Sequence, residues 1–187
     1  MQVNDFENNQ LKAKHLKIFA YGSNLCLTRI LDRVPSAKFM TKGWVDGFQL
    51  RLHKTGQDGS GKANCFYTGQ AKHRVYGVIY TIDPSEKKDL DRHEGLGFGY
   101  QDELLEITTI KNTIVTAKAY IASSAAINDD LLPFNWYLKY IIQGVQDFNF
   151  PADYQEMIKS QPSIKDKDPK RLGTFEETIL RHQNIMV

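Results

Sequence analysis

Two short segments of this 187-residue chain carry residue types that could do chemistry on a small molecule. The first is Tyr21-Gly22-Ser23-Asn24-Leu25, which follows the apolar run 16–20 and precedes apolar residues at helical spacing (Leu27, Ile30, Leu31, Val34). A glycine loop between a strand and a helix presents several backbone N–H groups, and the helix start adds positive potential. That suits an anion, either a substrate carboxylate or a developing oxyanion. Gly22 lets the backbone approach a ligand closely. Local physics alone fits a plain capped turn at least as well, with Ser23 or Asn24 as the cap.

The second segment is Asp91-Arg92-His93-Glu94-Gly95. Glu94 is the last strong helix former before a glycine stop. The negative end of the helix and partial burial would both favour a protonated carboxyl there, toward the range useful for proton transfer. Arg92 would oppose this if it points inward. A surface glutamate at a helix end is the plainer alternative.

The surrounding pattern says what must position these segments. Runs 16–20, 37–40, 48–52, 64–68 and 75–82 read as strands, the last rich in β-branched and aromatic residues. Residues 57–61 read as a flexible loop. Asp83-Pro84-Ser85-Glu86 predicts a helix start, with Asp83 as N-cap, Pro84 at the first helical position and Glu86 completing a capping box. Segments 104–110 and 114–122 flank Lys111-Asn112-Thr113 as an antiparallel hairpin. Segments 134–145 and 151–158 have helical spacing, 160–171 reads as a loop, and Thr174-Phe175-Glu176-Glu177 predicts the cap of a last helix. Strands come first and helices follow, so the fold class is α+β, with a curled sheet or small barrel. Residues 1–15 read as a flexible leader, 16–187 as a single domain, and Met186-Val187 as a frayed end.

Composition narrows the function class. Hydrophobic residues are 41% and charged residues 25%, enough apolar content for a folded core. A formal charge of +2 gives no reason to expect a nucleic-acid or anionic-membrane partner. No run approaches the ~20 apolar residues that span a bilayer, and the polar N-terminus lacks the pattern of a signal peptide. Cys26 and Cys65 form no zinc pattern with the histidines, so a reduced, cytoplasmic protein without a metal site is the simplest expectation. A Cys–His hydrolase, with Cys26 or Cys65 and His53, His73 or His93, is a rival reading; both cysteines lie where packing residues belong. Ser23 lacks the elbow of a serine nucleophile.

Taken together, Tyr21-Gly22-Ser23-Asn24-Leu25, the strand Val75-Tyr76-Gly77-Val78-Ile79-Tyr80-Thr81-Ile82 and Leu90-Asp91-Arg92-His93-Glu94-Gly95 resemble the γ-glutamylcyclotransferase family, within the AIG2-like superfamily. The likeness to its animal-type members continues through Tyr137 to Gly144 and Tyr154-Gln155-Glu156, covering about residues 16–171. One departure is the stretch from Gly95 to Tyr100, a residue tighter than in those enzymes.

The resemblance implies a small mixed β-barrel with peripheral helices and a pocket at its mouth. It implies that Tyr21, Gly22, Ser23, Asn24 and Leu25 bind the γ-glutamyl part and that Glu94 is the catalytic acid/base. Tyr100 and Tyr120 are expected to line the pocket. The implied enzyme is a metal-independent lyase or acyltransferase with no cofactor, acting on a small γ-glutamyl molecule to form 5-oxoproline, as in glutathione metabolism. γ-Glutamyl amino acids are the expected substrates; γ-glutamyl amines, a specialised γ-glutamyl metabolite, or binding without turnover are the alternatives. An amphipathic last helix is compatible with a homodimer.

Overall fold

A computed structural model describes residues 15–185, so most of the expected leader and the terminal Met186-Val187 lie outside the described residues. Five strands close into a barrel: β1 (Leu16–Ala20), β5 (Arg74–Ile82), β2 (Lys38–Asp46), β6 (Tyr100–Thr109) and β7 (Ile114–Ala122), in that order. Neighbours are antiparallel except at the closure, where Ile18 of β1 meets Lys118 of β7 in parallel. The fold class is therefore the expected α+β barrel with helices around it. Val78, Ile79 and Tyr80 are all buried although successive strand residues face opposite ways, so β5 is covered on both sides. Gly43 lets β2 meet β6, since a Cβ there would lie 2.4 Å from the Thr108 carbonyl oxygen.

A separate hairpin, β3 (Phe48–Thr55) with β4 (Gly61–Tyr67), stands beside the barrel. The buried Asn64 side chain ties it on, accepting a hydrogen bond from the Ala122 N–H at 2.9 Å. Around these lie α1 (Leu27–Arg33), α2 (Lys87–Glu94), α3 (Asn135–Asp147), α4 (Ala152–Lys159) and α5 (Pro169–Ile185).

Three expected caps differ from what forms. Ser23 and Asn24 do not cap a helix; they belong to a 3-10 turn, Ser23–Leu25, and α1 starts only at Leu27 after Cys26. Asp83 does cap its helix through the Ser85 N–H, but Glu86 does not close a capping box. Its carboxylate instead accepts from the N–H and hydroxyl of Ser36, and the Ser36 hydroxyl accepts from the Asp83 N–H. A tertiary partner has replaced the local one. Thr174 lies inside α5, its hydroxyl bonded to the Lys170 carbonyl, because the helix begins at Pro169, where proline is tolerated. The Gly95 stop of α2 is as expected, with φ +67°.

The helix that matters most for the site is α3. It buries Tyr137, Leu138, Tyr140, Ile141, Gly144 and Val145. Gly144 rests on the 3-10 turn, and a Cβ there would lie 2.2 Å from the Leu25 Cβ and 2.8 Å from the Leu25 carbonyl carbon. Nothing flexible is available to yield. Gly144→Ala should therefore destabilise the protein by about 1–3 kcal/mol, the cost typical of overpacking, despite alanine's better helix propensity. Urea unfolding checks this; an unchanged or higher midpoint would refute the close-packing account.

Candidate active site

The two chemistry-bearing segments meet. Glu94, at the end of α2, takes two hydrogen bonds on one oxygen: Asn24 Nδ2 donates to Oε1 at 2.8 Å and Arg33 Nη1 donates to the same Oε1 at 2.6 Å. Arg33 Nη1 also donates to Asn24 Oδ1 at 2.8 Å, closing a triangle. This fixes the Asn24 amide, because its oxygen faces a donor and its nitrogen an acceptor. Among the described residues Oε2 of Glu94 has no partner. The Arg33–Glu94 ion pair is well shielded, each side chain being 15% exposed. The cation on Glu94 is thus Arg33, from the last turn of α1. Arg92 instead projects to solvent and pairs with Asp89.

Two cavities adjoin this carboxylate. The inner niche has about 30 Å³ and is lined by Gly22, Ser23, Asn24, Glu94, Tyr100 and Tyr120 with Tyr21 and Tyr137 behind them. Room for a water requires roughly 10–15 Å³ on this scale, so the niche suits a group the size of a carboxylate. The outer chamber has about 750 Å³ and opens to solvent. Ser23, Glu94, Tyr100 and Tyr137 line both, so they form the neck between them.

The niche supplies neutral donors. Among the described residues the N–H groups of Gly22, Ser23 and Asn24 have no acceptor, whereas those of Leu25 and Cys26 bond back to Gly22 and Ser23. They belong to the tight turn, not to the start of α1 as expected from the spacing. Glycine at 22 is required by contact, since a Cβ there would fall 2.8 Å from that of Ala63. Leu25 lines neither cavity; it is fully buried beneath the turn against Gly144.

Most phenol protons around the niche are already committed. Tyr21 donates to the Tyr120 carbonyl, Tyr100 to the Ala63 carbonyl and Tyr120 to Asp91 at 2.7 Å. Tyr100 and Tyr120 therefore offer rings and lone pairs to a ligand. Tyr137 differs: its oxygen accepts from the buried Ala63 N–H at 3.0 Å and lies beside the Ser23 hydroxyl, and among the described residues no carbonyl or carboxylate takes its proton. Tyr137, Arg33, Lys54 and Arg29 are the site-lining residues that sequence reasoning missed as a group. The only available signal was their position on elements now seen to converge: Arg29 and Arg33 on α1, Lys54 near the end of β3, and Tyr137 in the first turn of α3.

The thiol alternative finds no support. Cys26 and Cys65 are fully buried, line neither cavity, and burial pushes both thiols up. Cys26 Sγ lies 3.9 Å from His182 Nδ1, but that nitrogen also lies 3.0 Å from the Thr28 hydroxyl, and the other ring nitrogen is held by Asp147 at 2.7 Å. His53 is occupied by Asp129 and Asn64, and His73 by Thr68. His93 lines the chamber with no thiol beside it.

Residues 74–158, from β5 through α4, match the model of the AIG2-like family. The chain is 29% identical over 147 residues to a gamma-glutamylcyclotransferase from Homo sapiens, covering 76% of each chain. It is 28% identical to the gamma-glutamylcyclotransferase from Bos taurus over the same length and shares. A solved structure of a gamma-glutamyl cyclotransferase superposes with a TM-score of 0.77 at 25% identity, covering 88% of this chain and 99% of that one. Among the described residues no helix is long and apolar enough to cross a membrane, and no cluster of potential metal ligands occurs.

The tyrosine cluster gives the protein a pH signature. Burial pushes Tyr21, Tyr100 and Tyr137 up from the ordinary phenol value of about 10. Burial likewise raises Tyr120, and its bond to Asp91 adds to this. A raised folded value means that stability is complete below about pH 10 and is lost as pH climbs toward the folded values. Phenolate absorbance from these tyrosines should therefore rise together with alkaline loss of circular dichroism. Their smooth titration near pH 10 in a protein that stays folded would contradict their burial.

Proposed function

We propose that this protein is a γ-glutamylcyclotransferase that converts γ-glutamyl amino acids to 5-oxoproline and the free amino acid. The observation that carries the reading is the unpartnered Oε2 of Glu94 at the neck between a carboxylate-sized niche of free N–H groups and a chamber of about 750 Å³. The similarity to named gamma-glutamylcyclotransferases supports it.

A γ-glutamyl group carries its own nucleophile, because its α-amine can close onto the γ-carbonyl as a five-membered lactam. The protein then needs to fold the chain, move one proton and stabilise an oxyanion. Well-oriented intramolecular attack reaches effective molarities of about 10⁵–10⁸ M, so folding the substrate is a large share of the task. In this reading the α-carboxylate enters the niche, where the N–H groups of Gly22, Ser23 and Asn24 meet it. Oε2 of Glu94 removes a proton from the ammonium, and the amine attacks the γ-carbonyl. The same carboxyl then gives the proton to the leaving nitrogen as the C–N bond breaks. Tyr137, whose proton is held by no carbonyl or carboxylate among the described residues, is the neck residue suited to the developing oxyanion. Asn24 and Arg33 hold Oε1 so that Oε2 faces the work; Asn24 thus acts through its side chain as well as its backbone. The chemistry asks for no metal or cofactor, and we place the reaction in the cytoplasm.

The test is 5-oxoproline release from γ-glutamyl-alanine and other γ-glutamyl compounds. Wild type should produce it, and Glu94→Gln should lose about 10²–10⁴-fold in kcat, the usual contribution of general acid–base transfer. Arg33→Met should lower kcat with less effect on KM. Turnover that survives in Glu94→Gln would remove Glu94 from its role. Saturable binding without product would make the protein a γ-glutamyl-binding module.

A further inference from the structure

The outer chamber holds two cations that the protein does not neutralise. Lys62 is paired with Asp58 at 2.7 Å and Arg33 with Glu94 at 2.6 Å. Lys54 and Arg29 also line the chamber, and among the described residues neither makes a hydrogen bond or ion pair through its side chain. Lys54 is only 7% exposed, lies with its ammonium 4.6 Å from the centre of the Tyr100 ring, and leaves Nζ open to the chamber. Gly99 makes room for it, since a Cβ at 99 would fall 2.6 Å from Lys54 Cε and 2.9 Å from Nζ. Arg29 is stacked 4.3 Å over the Tyr140 ring, and its Nε is buried without a partner.

Such groups are costly. A buried unpaired charge loses hydration without recompense, and lysine and arginine are rarely buried without a partner. Burial pulls both Lys54 and Arg29 down from their ordinary values and Arg33 adds repulsion at Arg29, while Glu94 attracts both and Asp58 attracts Lys54 from beyond ion-pair distance. Ring faces on Tyr100 and Tyr140 orient the two side chains but carry no neutralising charge. Within the fold the ring contacts are the direct favourable interactions of these two cationic groups, and they leave the charges unneutralised. A ligand with two negative charges would gain a great deal, because ionic hydrogen bonds in a shielded cavity are the strong ones.

The niche beyond the neck contains no cation, so the charge preference belongs to the chamber side. With the γ-glutamyl head at the neck and niche, as proposed above, the chamber receives what is released. We propose that the chamber is a subsite for a dianionic leaving group, an amine bearing two carboxylates or a phosphate, held by Lys54 and Arg29. The substrates are then γ-glutamyl conjugates of an acidic amino acid or a phosphorylated amine, in preference to neutral amino acids and simple amines. This rests on the cyclotransferase reading for its chemistry, though not for the charge selectivity of the chamber.

The decisive comparison uses near-isosteric substrates differing in one charge. Wild type should show kcat/KM at least about tenfold higher for γ-glutamyl-glutamate, or for γ-glutamyl-phosphoethanolamine, than for γ-glutamyl-glutamine, since a charged hydrogen bond typically corresponds to tenfold or more. Whichever anion is preferred names the source of the charge. Lys54→Gln should cut the glutamate-to-glutamine preference about tenfold, and Lys54→Arg should restore most of it; a merely structural role would lower both substrates alike. Equal kcat/KM for the glutamate and glutamine conjugates in wild type overturns the proposal without any variant. Trp136 also lines the chamber, so its fluorescence gives a readout independent of turnover. If no γ-glutamyl compound is converted, the cyclotransferase reading fails, yet free L-glutamate should still quench Trp136 at lower concentration than L-glutamine. Indifference there sinks the anionic chamber itself.

Discussion

The site depends on one carboxylate oxygen. Oε1 of Glu94 receives both Asn24 and Arg33, and through it α2 is clamped to the turn and helix that follow β1. Those segments are far apart in sequence, so the bond can form only when the barrel has already set β1 beside β5. β5 leads directly into α2, and β1 leads directly into the turn. The two strands are antiparallel, with Leu16 opposite Ile82 and Ala20 opposite Val78, so they exit at opposite ends of the pair, and the chain after β5 must run back through α2 before Glu94, at its last turn, meets the turn that follows β1. The price in free energy is moderate, because a shielded ion pair offsets much of its desolvation when its geometry is good and further hydrogen bonds complete it.

The third side of the neck comes from α3, and here backbone proximity governs. Gly144 touches Leu25 closely enough to bring the helix down on the turn. Seven residues earlier, about two helical turns away on the same face, Tyr137 reaches Ala63 and the niche. The turn is thus held from below by packing and from the side by Glu94, while its leading N–H groups remain free. That combination keeps a set of unsatisfied donors in place without a ligand, which is preorganisation in the ordinary sense.

This arrangement also explains what could be read from the sequence. The strands, the Gly95 stop, the hairpin around Asn112 and the packing helices were legible because each follows from a local pattern: alternation, helical spacing, or a residue suited to a special backbone angle. The Tyr21-to-Leu25 segment and Glu94 stood out for similar reasons. The failures have a common cause. Ser23, Asn24 and Glu86 looked like local caps, but each found a better partner across the fold or joined a different turn. Arg33, Tyr137, Lys54 and Arg29 carry no local signature, since an arginine at a helix end or a lysine in a strand is ordinarily solvated. Their meaning appears only when three elements converge on one cavity.

The division of charge across the neck then follows from Glu94 itself. A cation placed in the niche would compete with Arg33 and Asn24 for the carboxylate and swing it away from its working position. Neutral N–H groups can bind an anion there without that competition. In the chamber the protein's own carboxylates, Glu94 and Asp58, are already paired with Arg33 and Lys62. Lys54 and Arg29 are left over once those pairs are made. A net charge of only +2 for the whole chain conceals this local surplus. Which charges are left unpaired in the chamber is decided by the same contacts that hold Glu94.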